Sequence, residues 1–200
     1  MKLGTGVLLA FGAGMLGLAG YGAVTLIQHG GLPFQRLRVV SESMAPTLRP
    51  ETTIMARKTP AEALRRGDIA VFAVEDNKWV MRVVGLPGDR IAMRDGRLVL
   101  NGKVVPQANA GAMTIEGVQG RILTEQLPGS RGAYRVLDSG VTHGDEMAET
   151  TVPPGRFFVL GDNRDNAADS RFPAGPTGGS GMVAFADIYG IVRPEDLNSD

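Results

Sequence analysis

The chain has 200 residues, enough for one medium-sized domain with or without a membrane segment. Lys+Arg and Asp+Glu both total 21, so it lacks the basic field of a nucleic-acid binder and no nucleic-acid partner is expected. Cysteine is absent and histidine occurs only at His29 and His143, which excludes disulfide frameworks and zinc-finger spacings; no metal and no cofactor is expected.

Leu3 to Ile27, LGTGVLLAFGAGMLGLAGYGAVTLI, carries no charged residue. At ~1.5 Å per residue it is long enough for a hydrocarbon core of ~30 Å, and longer than the ~7–15-residue apolar core of a cleavable signal peptide. The expectation is a retained transmembrane anchor over residues 1–28. Lys2 and the terminal amine favour an inside N-terminus, but Arg36 and Arg38 follow closely on the other side, so the charge rule votes weakly. A Gly/Pro linker, 29–35, leads into a β-rich domain over 36–200.

Within that domain LRVVS, TTIMARK, IAVFAV, KWVMRVV and RIAMR are short, rich in β-branched residues and separated by Gly, Pro and Asp, as strands are. RLVLNGKVV predicts a hairpin whose type I′ turn is Asn101-Gly102. TPAEALRRGD predicts a short helix with Thr59 as N-cap, Pro60 in the first turn, Glu62 completing a capping box and Gly67 as terminator. Residues 107–150 are looser and read as an insertion holding a hairpin or two. Strand character returns in RFFVLGD and GMVAFADIYGIV. The fold class is therefore mainly β, with several short strands paired out of sequence order.

Three segments carry candidate chemistry. In SESMAPTL, Ser41 and Ser43 are two apart and would point the same way in an extended segment, just before the turn that Pro46 forces. A serine held there could serve as a nucleophile with its own N–H aimed at a developing oxyanion, although serines beside a Pro turn are commonly turn formers. In KWVMRVVGLPGDR, Trp79, Met81 and Val83 share one strand face and Lys78, Val80 and Arg82 the other; by itself Met81 reads as core packing. LGDNRDNAADSR concentrates Asp162, Arg164, Asp165, Asp169 and Arg171 in one loop. The interleaved arginines would repel a metal ion and fit internal ion pairs that lock the loop's shape.

In this order, and behind an apolar N-terminus, the blocks SESMAPTL, RGDIAVF, WVMRVVGLPGDRI and VPPGRFFVLGDNRDNAADSR closely resemble the type I signal peptidases of bacteria. LPGSRGAYRVL also looks like the segment that precedes the last block in many members. The resemblance implies a signal-peptidase-type β domain of short, partly barrel-like sheets behind one N-terminal transmembrane helix. It implies a single-pass protein of the bacterial inner (plasma) membrane, its catalytic domain on the outer, periplasmic face. The implied activity is that of a serine endopeptidase removing signal peptides from exported preproteins after Ala-x-Ala-like sites, and the implied partners are those signal peptides and the lipid bilayer. Carried over residue by residue, Ser43 is the nucleophile, and Ser41 contributes its hydroxyl to the oxyanion hole beside the Ser43 N–H. Arg82, Asp162, Asn163, Arg164, Asp169 and Arg171 are scaffold residues of the site.

Two positions depart from the family pattern. The bacterial members place a lysine general base where this chain has Met81, and a serine where it has Ala167. Apolar burial lowers a lysine's pKa and lets its amine accept the serine proton, whereas methionine fills the same volume and accepts no proton. Lys78 falls on the opposite strand face unless a bulge intervenes, and nothing in the sequence ties His29 or His143 to Ser43. The double change fits natural divergence better than one engineered substitution. The reading is a signal peptidase I by family, impaired as written. The alternatives are a catalytically inactive homologue that binds signal peptides or assists an active paralogue, and a peptidase dedicated to pilus or conjugation precursors.

Overall fold

Two short, largely apolar runs rich in β-branched residues produce a hairpin at the centre of the domain. In the computed structural model, β3 (Ile69–Val74) and β4 (Asn77–Gly85) pair antiparallel with Ala70 opposite Met81 and Ile69 opposite Arg82. The structure describes residues 33–75, 77–115, 117–175 and 178–196. The expected membrane anchor at 1–28, with His29, lies outside them. Among the described residues no helix is long and apolar enough to cross a membrane.

β1 (Phe34–Arg38), β2 (Thr53–Lys58), β12 (Arg156–Leu160), β13 (Val183–Ala184) and β14 (Ile188–Val192) complete a seven-stranded sheet, in the order β1-β2-β14-β3-β4-β12-β13. A second sheet runs β11-β5-β6-β7 and is built from β5 (Arg90–Arg94), β6 (Arg97–Leu100), β7 (Lys103–Val104) and β11 (Met147–Thr151). A third has β9 (Val118–Glu125) between β8 (Gln107–Ile115) and β10 (Tyr134–Asp138). The architecture is mainly β, as expected, and all strand pairs within the three sheets are antiparallel.

One apolar core, with Met44, Leu48, Phe72, Met81 and Phe157, is assembled from the large sheet and the serine-bearing segment. A second, with Ile91, Leu98, Val136 and Phe158, joins the other two sheets. β4 is buried by both: Val83 belongs to the first core and Val84 to the second. This two-sided burial places the strand that carries Met81 and Arg82 in the interior.

The turn at Asn101-Gly102 has φ of 53° and 78°, the left-handed pair a type I′ hairpin requires. Three local expectations are corrected. The segment after Thr59 forms only one 3-10 turn, Ala61–Ala63, with no side-chain cap. The Thr59 hydroxyl donates instead to the Arg57 carbonyl, and Leu64 is already extended. The cause is long-range: the Gly67 N–H donates to Val83 O, and Arg66 reaches Asp89, so so short a segment is drawn straight before a helix can propagate. The first strand ends at Arg38, earlier than LRVVS suggests, so Ser41 lies beyond it. GMVAFADIYGIV is split by a 3-10 turn, Phe185–Asp187, where Phe185 stacks on Phe157 with ring centroids 4.5 Å apart; its halves occupy different places in the sheet.

Candidate active site

The serine segment leaves β1 and enters a series of turns, in which Ala45 N–H donates to Glu42 O and Leu48 N–H to Met44 O. Met44 and Leu48 are each 1% exposed and fasten this segment into the first core, the one that also contains Met81. Between such anchors Ser41 stays exposed and Ser43 half-buried, their hydroxyl oxygens 3.0 Å apart. The two hydroxyls do lie on one side, but a turn brings them together and no strand does.

The acidic loop clamps the serine segment from above. Asn163 N–H donates to the Ser43 carbonyl at 3.0 Å, and Asn163 Nδ2 to the Glu42 carbonyl at 3.2 Å. Asn163 Oδ1 is buried without a hydrogen-bond partner among the described residues, the kind of exception that gathers at functional sites. Gly161 is required by close approach: a Cβ there would collide with the Cβ of Ala167 and stand 2.6 Å from the Ser43 carbonyl oxygen. Ala167 and Ser43 thus meet across one glycine, and the position that departs from the family pattern is beside the candidate nucleophile.

Among the described residues one ion pair, Asp169–Arg171, is internal to the loop; Asp162 and Arg164 pair with residues outside it, and Asp165 accepts hydrogen bonds from the Ser139 N–H and the Thr142 hydroxyl. Arg82 forms a bidentate ion pair with Asp162, at 2.7 and 2.6 Å, and donates through Nη1 to the Gly67 carbonyl. Its guanidinium also lies over the Tyr134 ring, 4.1 Å from the centroid. Burial works against the Arg82 charge, but Asp162 outweighs it and holds the pKa above the ordinary value. Thr47 donates to Asp162 Oδ2 at 2.5 Å, which ties the serine segment to this pair. Asp169 accepts from Gly161 N–H and from Arg171, which in turn donates to the Arg164 carbonyl.

Arg164 is buried against Glu125, at 3.0 and 2.5 Å, and Glu125 also accepts from Tyr134 and Gln107. Burial pushes the Glu125 carboxyl up, yet the Arg164 guanidinium and these hydrogen bonds prevail and hold it below its usual range. Thr47 and Glu125 were not singled out from the sequence. A buried arginine in a loop demands a carboxylate, but only the fold shows that the 107–150 segment supplies it.

Met81 is 2% exposed and packed within the apolar core. Lys78, on the same strand, is exposed, and its ammonium lies 5.1 Å from the Tyr189 ring centroid. His143 is exposed in a turn whose neighbour Thr142 donates to Asp165. Among the described residues, the only hydrogen-bond partner of the Ser43 hydroxyl is Ser41.

Comparison with known proteins identifies the family. Residues 16–194 match the family model described as signal peptidase, peptidase S26. Signal peptidase I T of Bacillus subtilis is 32% identical over 84% of this chain and 75% of its own length. Signal peptidase I of Bacillus amyloliquefaciens is 33% identical over 66% of this chain and 63% of that protein, and that of Rickettsia rickettsii 35% identical over 55% and 45%. The matched part is thus less than two thirds of the latter two proteins. A crystallised signal peptidase I from Enterococcus faecalis is 25% identical, with a TM-score of 0.39 over 65% of this chain and 97% of that one. The chain belongs to the signal peptidase family, peptidase S26, and its relatives are type I signal peptidases.

Proposed function

We propose that this protein is a signal peptidase I by descent that binds the signal peptides of exported preproteins, and that peptide hydrolysis is impaired because Met81 replaces the lysine base of Ser43. The observation that carries the reading is the environment of the two residues: Met81 sits 2% exposed in the apolar core, and the Ser43 hydroxyl is hydrogen-bonded to Ser41.

In the full reaction the serine oxygen would attack the scissile carbonyl while its proton passes to a base. The C–N bond then breaks, the proton goes to the leaving amine, and water releases the acyl group. Ser41 Oγ and the Ser43 N–H would stabilise the oxyanion, which preserves part of the rate enhancement. Methionine supplies no proton acceptor, and loss of a general base removes about 10²–10⁴-fold in rate. The peptide would lie extended along strand edges with its small residues in shallow pockets. The protein would be anchored in the bacterial plasma membrane, its β domain on the outer face.

A second reading, a non-catalytic partner that presents signal peptides to an active paralogue, is favoured by the joint replacement at Met81 and Ala167. A peptidase dedicated to pilus or conjugation precursors has the same site chemistry and differs only in substrate. Incubating the full chain in detergent with an Ala-x-Ala preprotein, and measuring binding and cleavage separately, distinguishes these readings. Binding with slow cleavage that Ser43→Ala abolishes supports the impaired peptidase. Binding without cleavage supports the partner, and rapid cleavage dependent on Ser43 contradicts both.

A further inference from the structure

A cavity of about 440 Å³ opens beside the buried Arg82–Asp162 pair, and neither Ser41 nor Ser43 lines it. Two segments deliver three arginines to its wall: Arg131 and Arg135 from the stretch that enters β10, and Arg193 from just after β14. Arg82 forms part of the lining with Thr47 and Tyr134. Among the described residues the one carboxylate in the lining is Asp68, which stands 3.8 Å from Arg131 Nε.

The charges there are incompletely matched. Arg82 is neutralised from behind by Asp162. Arg193 has a loose, half-exposed contact with Glu195 at 3.5 Å, and it also lies in the field of Asp196, whose carboxylate is already paired with Arg57. Arg135 is exposed and has no carboxylate within ion-pair distance among the described residues. Exposed arginines along a concave, partly apolar wall suit a tetrahedral oxyanion, which accepts several N–H donors at once and prefers the fork of arginine. Thr47 and Thr124 also line it, the Thr47 hydroxyl being already committed to Asp162.

We propose that this cavity is a binding site for a phosphate group, separate from the candidate active site. The ligand is either a free phosphate or the phosphate of an anionic lipid headgroup. Arg135 and Arg193 grip the anion, and Arg131 closes over it on leaving Asp68. The idea is independent of whether Ser43 is catalytically competent.

The test is isothermal titration of the full chain in nonionic detergent micelles at matched ionic strength. One arm uses inorganic phosphate against chloride; the other uses micelles doped with phosphatidylglycerol against phosphatidylcholine. The expected result is saturable binding of phosphate, phosphatidylglycerol or both, weakened about tenfold or more in Arg135→Ala/Arg193→Ala and unchanged in Arg97→Ala. Phosphate binding identifies a free-anion site, and binding of phosphatidylglycerol alone identifies a lipid-headgroup site. The Arg135→Lys/Arg193→Lys variant keeps both charges and should recover only part of the affinity, a check that does not depend on how the alanine variant folds. No saturable binding of either ligand, or binding that survives loss of both arginines, overturns the proposal.

Discussion

Arg82 follows Met81 on β4, and its guanidinium is locked in two parallel hydrogen bonds, of 2.7 and 2.6 Å, to Asp162 in the acidic loop. Both side chains are almost fully buried, 6% and 1% exposed, so this pair fixes the loop that clamps Ser43 to the strand that carries Met81. Asp162→Asn should therefore cost about 3–5 kcal/mol, because it strands a buried guanidinium. Chemical denaturation measures it. Arg82→Met combined with Asp162→Asn should be less destabilising than the two single losses added together, since neither charge is then left alone. Additive losses would mean that the pair is not the coupling element.

The Glu125–Arg164 pair sets an acid limit on stability. The Glu125 carboxyl is held below 4.5, its ordinary value, in the folded chain. The unfolded chain then takes up the proton at higher pH, so the stabilisation is complete above pH ~4.5 and is lost as pH falls through the lower folded value. Glu125→Gln should reduce stability at neutral pH and flatten the fall below about pH 4.5. Denaturant midpoints measured from pH 7 to pH 3 check both effects. An unchanged acid slope in the variant would place the titration elsewhere.

Gly161→Ala tests the contact between the loop and the serine segment. The new methyl would meet Ala167 Cβ and lie 2.6 Å from the Ser43 carbonyl oxygen. Overpacking of this kind costs about 1–3 kcal/mol, and here it should also lower affinity for a signal peptide. Thermal melting and peptide titration of the same sample separate the two effects. Normal binding at reduced stability would mean that the serine segment is not needed for recognition.

Much of this domain was legible in the sequence where local pattern and tertiary environment agree. IAVFAV and RIAMR become β3 and β5 with those bounds, and Asn101-Gly102 makes the hairpin turn, since short apolar runs between turn residues and turn chemistry are local properties. The helix expected after Thr59 failed because Arg66 and Gly67 are claimed by Asp89 and Val83, partners a reading of ten residues does not contain. Strand pairing was also out of reach: β14, near the C-terminus, sits between β2 and β3.

The candidate site divides the same way. Ser41, Ser43 and the GDNRDN loop were visible as motifs, and the fold brings them together through Asn163 and Gly161. The pairing of Asp169 with Arg171 inside the loop fits the ion pairs expected from its interleaved charges, but Asp162 and Arg164 pair outside it. Those outside partners could not be argued from the loop's charges, because Arg82 lies on β4, Glu125 at the end of β9 and Thr47 in the serine turns. Residues 107–150, which read as an insertion, proved part of that scaffold.

The central claim is that Ser43 is held ready while Met81 denies it a base. The direct measurement is the rate of preprotein cleavage by the full chain in detergent, compared among the unsubstituted chain, Met81→Lys, and Met81→Lys with Ala167→Ser. A lysine in this apolar slot would lose part of its ammonium's stability to desolvation and titrate nearer neutrality. The expected result is a rise of about 10²–10⁴-fold with Met81→Lys, a further gain with Ala167→Ser, and loss of all cleavage when Ser43→Ala is added. Fast cleavage by the unsubstituted chain, or no gain from Met81→Lys in a folded protein that still binds the signal peptide, would contradict it.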